Sequence, residues 1–468
     1  GGEDIYKSEF KDGLWTDARP FTQLNTNGHE VITDLYAPNH YLICGNYPEK
    51  LGPKTANNGT ETSDIFDVSV KGSSVQIKHL PEPVNSIFTE ADAIMVDQGN
   101  AIVFVSDRPG HVGAYHKKGW LWNQSTWGNT DVYVIDRDAD VDGTFDEFSQ
   151  ANAVTVTLVS VSYDIDFEEN ISTADGAYSP RFSSDCTKIA FVTDTGFDAD
   201  DSNFVPDVYM NTLGSVATPA VWVSSFADGG GDGGGFLPAL NADGTKVTFV
   251  TEATDVVFSG GTLGGLVVST VGSTGVTAAA YASVKPNGNP STGQIDTEYA
   301  PAISADGKCI AFKSNQGVDL LANNAGPAEG IFLWDNRGAS PVISLVSKIT
   351  TGQAATSATA PRITDDCSFI AYESNDEFIS AADNNNKLDV FLYDVANGTT
   401  QLISSNAAGN SADANSSLAA LDYDPTTGQG VVMITSGASN IRGAAGGNAD
   451  LDVFSVPFTA EIGGLTAL

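Results

Sequence analysis

Residues 360–405 read APRITDDCSFIAYESNDEFISAADNNNKLDVFLYDVANGTTQLISS, which is four short strands in succession. Pro361 to Thr364 forms the first strand, and the acidic pair Asp365-Asp366 turns the chain. Phe369 to Glu373 forms the second. A long Asp/Asn loop leads to the third, Asp389 to Tyr393, and a turn at Asn397-Gly398 delivers the fourth, Thr400 to Ile403. Period-two alternation bounded by Gly, Asn and Asp is the signature of strands joined as hairpins. The stretch decides the fold because it recurs.

Its opening phrase appears as SPRFSSDCTKIAFVTD (179–194), LPALNADGTKVTFVTE (237–252), APAISADGKCIAFKSN (300–315) and APRITDDCSFIAYESN (360–375). The prolines, Pro180, Pro238, Pro301 and Pro361, are spaced by 58, 63 and 60 residues. Weaker copies extend the series to 29–46 and 90–107 on one side and 417–436 on the other. A third-strand phrase follows each copy: SDIFDVSV, TDVYVID, PDVYMN, the divergent GGLVVST, GIFLWD, LDVFLYD and LDVFSVPF. A four-strand unit cannot bury its own two faces, but a ring of such units stacked on one another can. The reading is all-β: a β-propeller of seven four-stranded blades, with six or eight blades left open. Blades start near residues 29, 88, 178, 236, 299, 359 and 416 of one domain spanning 29–468. Residues 1–28 read as a surplus hairpin that either closes the ring or exchanges with a neighbour. The Asp-Gly pairs Asp243-Gly244 and Asp306-Gly307 predict two-residue hairpin turns with both centre residues at positive φ.

These phrases resemble the TolB-type propeller repeat, a WD-like family marked by P-x-[IFL]-S-x-D-G-[KT]-x-[IV]-A-F followed by D-[IV]-[FY]. The resemblance covers nearly the whole chain, speaks for the fold and says little about chemistry. It implies a protein-binding module, with the periplasm as one setting.

Composition bounds the partners. The 468 residues carry 59 acidic and 22 basic side chains, a formal net charge of −37. Such a surface repels nucleic-acid phosphates and anionic lipid and attracts cations. No stretch approaches the roughly 18 consecutive apolar residues of a membrane-spanning helix. Four cysteines are too few for a disulfide scaffold; Cys309 and Cys367, in neighbouring repeats, either pair or stay thiols. A chain opening Gly1-Gly2-Glu3 reads as processed, which places it outside the cell or at its surface, with the periplasm as the alternative.

Two departures from the repeat carry the candidate chemistry. DADVDGTFD, residues 138–146, sets carboxylates at positions 1, 3 and 5, a glycine for the sharp turn, a carbonyl at 7 and a further carboxylate at 9. That spacing wraps a hard cation in oxygen. Asp138, Asp140, Asp142, the Thr144 carbonyl and Asp146 are thus candidate Ca2+ ligands, and the pattern is similar to the calcium loops of integrin α-subunit propellers. The other acidic loops, 198–203 and 382–389, have irregular spacing and read as solvated turns, with a second ion in one of them as the alternative. The second departure, 109–129, brings Tyr115, Trp120, Trp122 and Trp127 into one loop, a platform for a sugar ring or a protein partner.

The sequence shows no G-x-S-x-G nucleophile elbow. Some propellers of similar repeat type are polysaccharide lyases with a histidine-held metal, but no histidine follows His116 here. The chain therefore reads as a non-enzymatic, calcium-stabilised structural or interaction unit, self-assembling into a homopolymer through terminal strands or binding another protein. A carbohydrate-binding or lyase propeller that takes up polysaccharide is the rival.

Overall fold

The computed structural model describes residues 6–7, 10–11, 14–15, 19–20, 30–37, 40–45, 63–71, 74–81, 84–85, 90–96, 101–106, 131–136, 155–158, 177–185, 187–193, 201, 205–212, 220–226, 229–230, 233–253, 265–272, 275–291, 295–315, 317–322, 329–352, 355, 357–377, 379–406, 408–441, 452–461 and 464–467. Seven antiparallel four-stranded sheets follow one another along the chain, and in each the strands pair in sequence order. Blade 1 is Glu30–Ala37, His40–Gly45, Asp64–Lys71 and Ser74–His79. Blade 2 is Glu90–Val96, Ala101–Ser106, Asp131–Asp136 and Thr155–Leu158. Blade 3 is Ala177–Phe182, Lys188–Thr193, Asp207–Thr212 and Val221–Trp222. Blade 4 is Gly235–Leu240, Lys246–Thr251, Gly265–Gly272 and Gly275–Tyr281. Blade 5 is Ala302–Ile303, Cys309–Ser314, Gly330–Asp335 and Val342–Leu345. Blade 6 is Thr359–Ile363, Phe369–Ser374, Asp389–Asp394 and Thr399–Leu402. Blade 7 is Ser416–Asp424, Gln429–Ser436, Asp452–Glu461 and Gly464–Ala467. The protein is a seven-bladed β-propeller. Among the described residues no helix is long and apolar enough to cross a membrane.

The core lies between blades, because alternate residues of each central strand face opposite neighbours. In blade 3, Ile189 and Phe191 join the cluster shared with blade 2, while Ala190 and Val192 join the one shared with blade 4. In blade 6, Ile370 and Tyr372 face blade 5, and Phe369 and Ala371 face blade 7. A second-strand aromatic stacks on a third-strand aromatic in four blades: Phe104 on Tyr133, Phe191 on Tyr209, Phe312 on Phe332 and Tyr372 on Phe391, with centroids 5.6–6.3 Å apart. Each such pair contributes about 0.5–1.5 kcal/mol beyond its buried area.

The turn between first and second strands differs from the expected two-residue hairpin. Gly244 and Gly307 have φ of 61° and 68°, but Asp243 and Asp306 are not left-handed. Gly244 N–H donates to the Asn241 carbonyl, and Gly307 N–H to that of Ser304. A right-handed turn thus comes first and one left-handed residue ends it, inside a four-residue loop closed by the Asn241 N–H on the Lys246 carbonyl and the Ser304 N–H on the Cys309 carbonyl. The aspartate caps the turn. Asp243 accepts from the Thr245 backbone N–H and hydroxyl, and Asp306 accepts from the Lys308 N–H and the Ser304 hydroxyl. The turns also tie adjacent blades together: Ala242 N–H donates to the Ala305 carbonyl, and Ala305 N–H to that of Asp365. At the same end, Cys309 of blade 5 is disulfide-bonded to Cys367 of blade 6, with Cα atoms 6.1 Å apart. Of the two states open for these cysteines, the structure holds the bridge.

The N-terminal segment forms small ladders of its own. Tyr6–Lys7 pairs with Arg19–Pro20, and Phe10–Lys11 pairs with Leu14–Trp15. Tyr6–Lys7 lies beside Asp452–Glu461 of blade 7, whose four strands all come from residues 416–467.

Candidate functional site

In blades 1, 3, 4, 5 and 6 the third strand is locked at its start by a polar side chain from the connector that follows the fourth strand. The Val208 N–H donates to Ser224 Oγ (2.9 Å), Leu266 to Ser283 (3.0 Å), Ile331 to Ser347 (3.0 Å) and Val390 to Ser404 (2.9 Å). In blade 1 an amide does the same work: Asn85 Oδ1 accepts from Ile65 N–H, and its Nδ2 donates to the Ile65 and Leu80 carbonyls. Where the third strand opens on aspartate, the serine hydroxyl turns to that carboxylate. Ser224 Oγ donates to Asp207 Oδ1 and Ser404 Oγ to Asp389 Oδ1, both at 2.5 Å. Blades 4 and 5 open on Gly265 and Gly330 and keep the lock without the carboxylate. The lock is therefore structural, and the aspartate is an addition to it.

In blade 6 that addition becomes a cluster. The loop from the second to the third strand carries Asp383, which is 2 % exposed, and ends on Asp389, which is 0 % exposed. The connector to blade 7 packs over it through Ser411, Ala412 and Asn415. Ser411 N–H donates to the Ala382 carbonyl, Asn385 Nδ2 to the Ala412 carbonyl (2.5 Å) and Leu388 N–H to Asn415 Oδ1. This covering corrects the reading of 382–389 as a solvated turn at Asp383 and Asp389, while Asn384, Asn386 and Lys387 stay exposed. Asp389 Oδ2 is buried with no hydrogen-bond partner. Burial pushes Asp389 up to about 6 against the pull of the Ser404 hydroxyl and Asn385. Burial, joined by the negative charge of Asp389, pushes Asp383 up to about 7, against a hydrogen bond from the Asn385 backbone N–H. Two carboxylates forced together in this way take up a proton or a cation.

Two other buried aspartates in the ring, Asp296 and Asp319, have lysine partners. Asp296 meets Lys313 Nζ at 3.0 Å and Asp319 meets Lys285 Nζ at 3.2 Å, with the Ser291 hydroxyl also donating to Asp319. Among the described residues no basic side chain pairs with Asp383 or Asp389. Nor, among those residues, do three His, Cys, Asp or Glu side chains converge as a metal centre.

The residues singled out from sequence lie elsewhere. Asp138, Asp140, Asp142, Thr144 and Asp146 are outside the described residues. Asp136 and Thr155 face each other in the ladder that flanks them, so the loop joins the third and fourth strands of blade 2. Tyr115, Trp120, Trp122 and Trp127 are also outside the described residues, between Ser106 and Asp131, which pair across the second and third strands of blade 2. A signal for the blade 6 cluster does exist in the sequence. Asp383 and Asn385 stand six and four residues before Asp389, and Asp201 and Asn203 stand at the same offsets before Asp207 in blade 3.

No family model matches the chain, and no curated protein matches it in sequence. Solved propellers do match in shape. A prolyl endopeptidase is 9 % identical over 100 % of this chain and 59 % of its own, with a TM-score of 0.47. An oligogalacturonate lyase determined with manganese is 11 % identical over 97 % of this chain and 96 % of its own, with a TM-score of 0.44. A TolB-like protein of Agrobacterium tumefaciens is 12 % identical over 62 % of this chain and 79 % of its own, with a TM-score of 0.30. The chain spans about half the length of the peptidases it resembles. The expectation of a non-enzymatic chain is corrected here, since prolyl endopeptidases, a puromycin-hydrolysing peptidase and an oligogalacturonate lyase, all enzymes, are among these neighbours. At such identities and TM-scores the likeness assigns no activity to this chain.

Proposed function

We propose that this chain is an exported, calcium-stabilised β-propeller that serves as an interaction unit, presenting its loops to a protein partner or to further copies of itself. The observation that carries the reading is the Cys309–Cys367 bridge, which locks blade 5 to blade 6. Disulfides persist in oxidising compartments and are rare where thiols are kept reduced. In such a medium calcium reaches the range that binds extracellular modules, about 10⁻⁴–10⁻³ M. A ring with a formal net charge of −37 has carboxylates to hold it, those of the Asp138–Asp146 loop first among them. Cation binding also lowers the self-repulsion that would keep copies apart, and salt screens the remainder beyond about 8 Å.

The test is the mass of the intact chain by size exclusion with light scattering, in calcium and in chelator at constant ionic strength, followed by electron microscopy of the calcium sample. A calcium-dependent rise in mass supports self-association. A monomer in both conditions, with no partner retained from the secreted fraction in calcium, would sink the reading.

A further inference from the structure

The blade 6 cluster leads further, to a particular site on the calcium-stabilised ring proposed above. Asp389 contributes a carboxylate oxygen, Oδ2, that is buried and has no hydrogen-bond partner, while its Oδ1 is held at 2.5 Å by the Ser404 hydroxyl. Asp383 is buried beside it, and Asp389 is the charge acting most strongly on Asp383, with Glu377 and Asp376 adding to the same field. Asn385 sits between the two, its backbone N–H on Asp383 and its side chain against Asp389. The Asn385 amide is itself fixed, donating to Ala412 and accepting from Lys387 N–H (2.9 Å). Both carboxylates are therefore rigidly placed.

Blade 3 differs at one place. There Asp201 stands at the same offset from Asp207, and the Tyr209 hydroxyl donates to Asp201 Oδ2 at 2.6 Å. The residue in Tyr209's place in blade 6 is Phe391, which has no hydroxyl to give. Blade 6 thus carries the two carboxylates without the hydroxyl that answers one of them in blade 3. An unpaired buried charge is strongly unfavourable, and buried charges are paired or coordinate metals.

We propose that Asp383 and Asp389, in the loop joining the second and third strands of blade 6, form a site for a hard divalent cation, calcium by class, separate from the Asp138–Asp146 loop. Carboxylate and amide oxygens are the donor set that calcium prefers. Bound there, the ion would tie that loop to the start of the third strand, under the connector that leads to blade 7.

The experiment titrates the metal-free full-length chain with Ca2+ by calorimetry and follows its melting temperature with Ca2+ and with chelator. The unmodified chain is compared with Asp383→Asn and with Asp140→Asn/Asp142→Asn. The expected result is that Asp383→Asn loses one equivalent of bound calcium which the blade 2 variant retains. In chelator Asp383→Asn should melt at or above the unmodified chain, because it removes a repelling carboxylate, while its melting temperature responds less to calcium. An unchanged number of equivalents and an unchanged calcium response in Asp383→Asn overturn the site and leave the wider calcium reading standing. Loss of the equivalent in a chain that stays a monomer with and without calcium and retains no partner supports the site and removes that wider reading.

Discussion

Cys309 and Cys367 are bonded to each other across the boundary between blades 5 and 6, closing a loop of 58 residues. Cys309 opens a second strand. Cys367 ends a first turn at φ 66°, the left-handed place that Gly244 and Gly307 hold in blades 4 and 5. The bridge therefore reinforces a seam that the Ala305 N–H already ties by donating to the Asp365 carbonyl. Both sulfurs are buried among apolar side chains. Chain-entropy arguments assign a bridge of this span about 4 kcal/mol. Cys309→Ala/Cys367→Ala should lower the thermal midpoint by several degrees, and reductant should then have no further effect on it. An unchanged midpoint would show that packing alone holds the seam.

Acid should weaken the ring through its first turns. Asp243 is held below the ordinary carboxylate range by the Thr245 hydroxyl and N–H. At Asp306 burial pushes upward, but the Lys308 N–H and Ser304 hydroxyl outweigh it, and Asp185 is lowered in the same way against burial by Ser183 and Thr187. A folded-state value below the unfolded one gives stability that is present above the unfolded value and lost as pH falls through the folded one. The melting temperature should therefore fall below about pH 4. Asp243→Asn, Asp306→Asn and the double variant should show progressively flatter profiles between pH 3 and 5.

The serine lock should matter more where it also holds a carboxylate. Ser224 accepts from Val208 N–H and Trp222 Nε1 and donates to Asp207, whereas Ser283 accepts from Leu266 N–H in a blade that opens on Gly265. Removing one partner from a buried polar group costs about 1–3 kcal/mol, and more when the group left behind is charged. Ser224→Ala should shift the urea midpoint further than Ser283→Ala. Equal shifts would mean that the carboxylate contact contributes nothing.

The turn glycine offers a simpler test. At φ 68° a Cβ on Gly307 would lie 2.3 Å from Lys246 Cδ, a flexible side chain that can move aside. What remains is the backbone preference, about 1–2 kcal/mol for a residue with a Cβ. Gly307→Ala should cost about that much in denaturant titration, and Gly307→Asn less.

The blades were legible because their signals are local. Pro361, Asp366, the alternation of Phe369 to Glu373 and the Asp389-Val390-Phe391 phrase each act within a few residues, and repetition multiplies them. The Asp-Gly dipeptide misled on turn type, since the register of its flanking strands demands one left-handed residue where two were expected. The Asp383 loop misled for a different reason. Asp and Asn runs are ordinary solvated turns, and nothing local says that Ser411, Ala412 and Asn415 lie across this one.

The sequence by itself determined the ring: a unit of four strands with two apolar faces, repeated seven times, can bury those faces only against copies of itself. The tertiary structure decided which cysteines meet and which carboxylates lose their water. Both depend on how one blade's loops lie against the next connector, and neither a thiol's partner nor a carboxylate's burial is carried by its own stretch of chain.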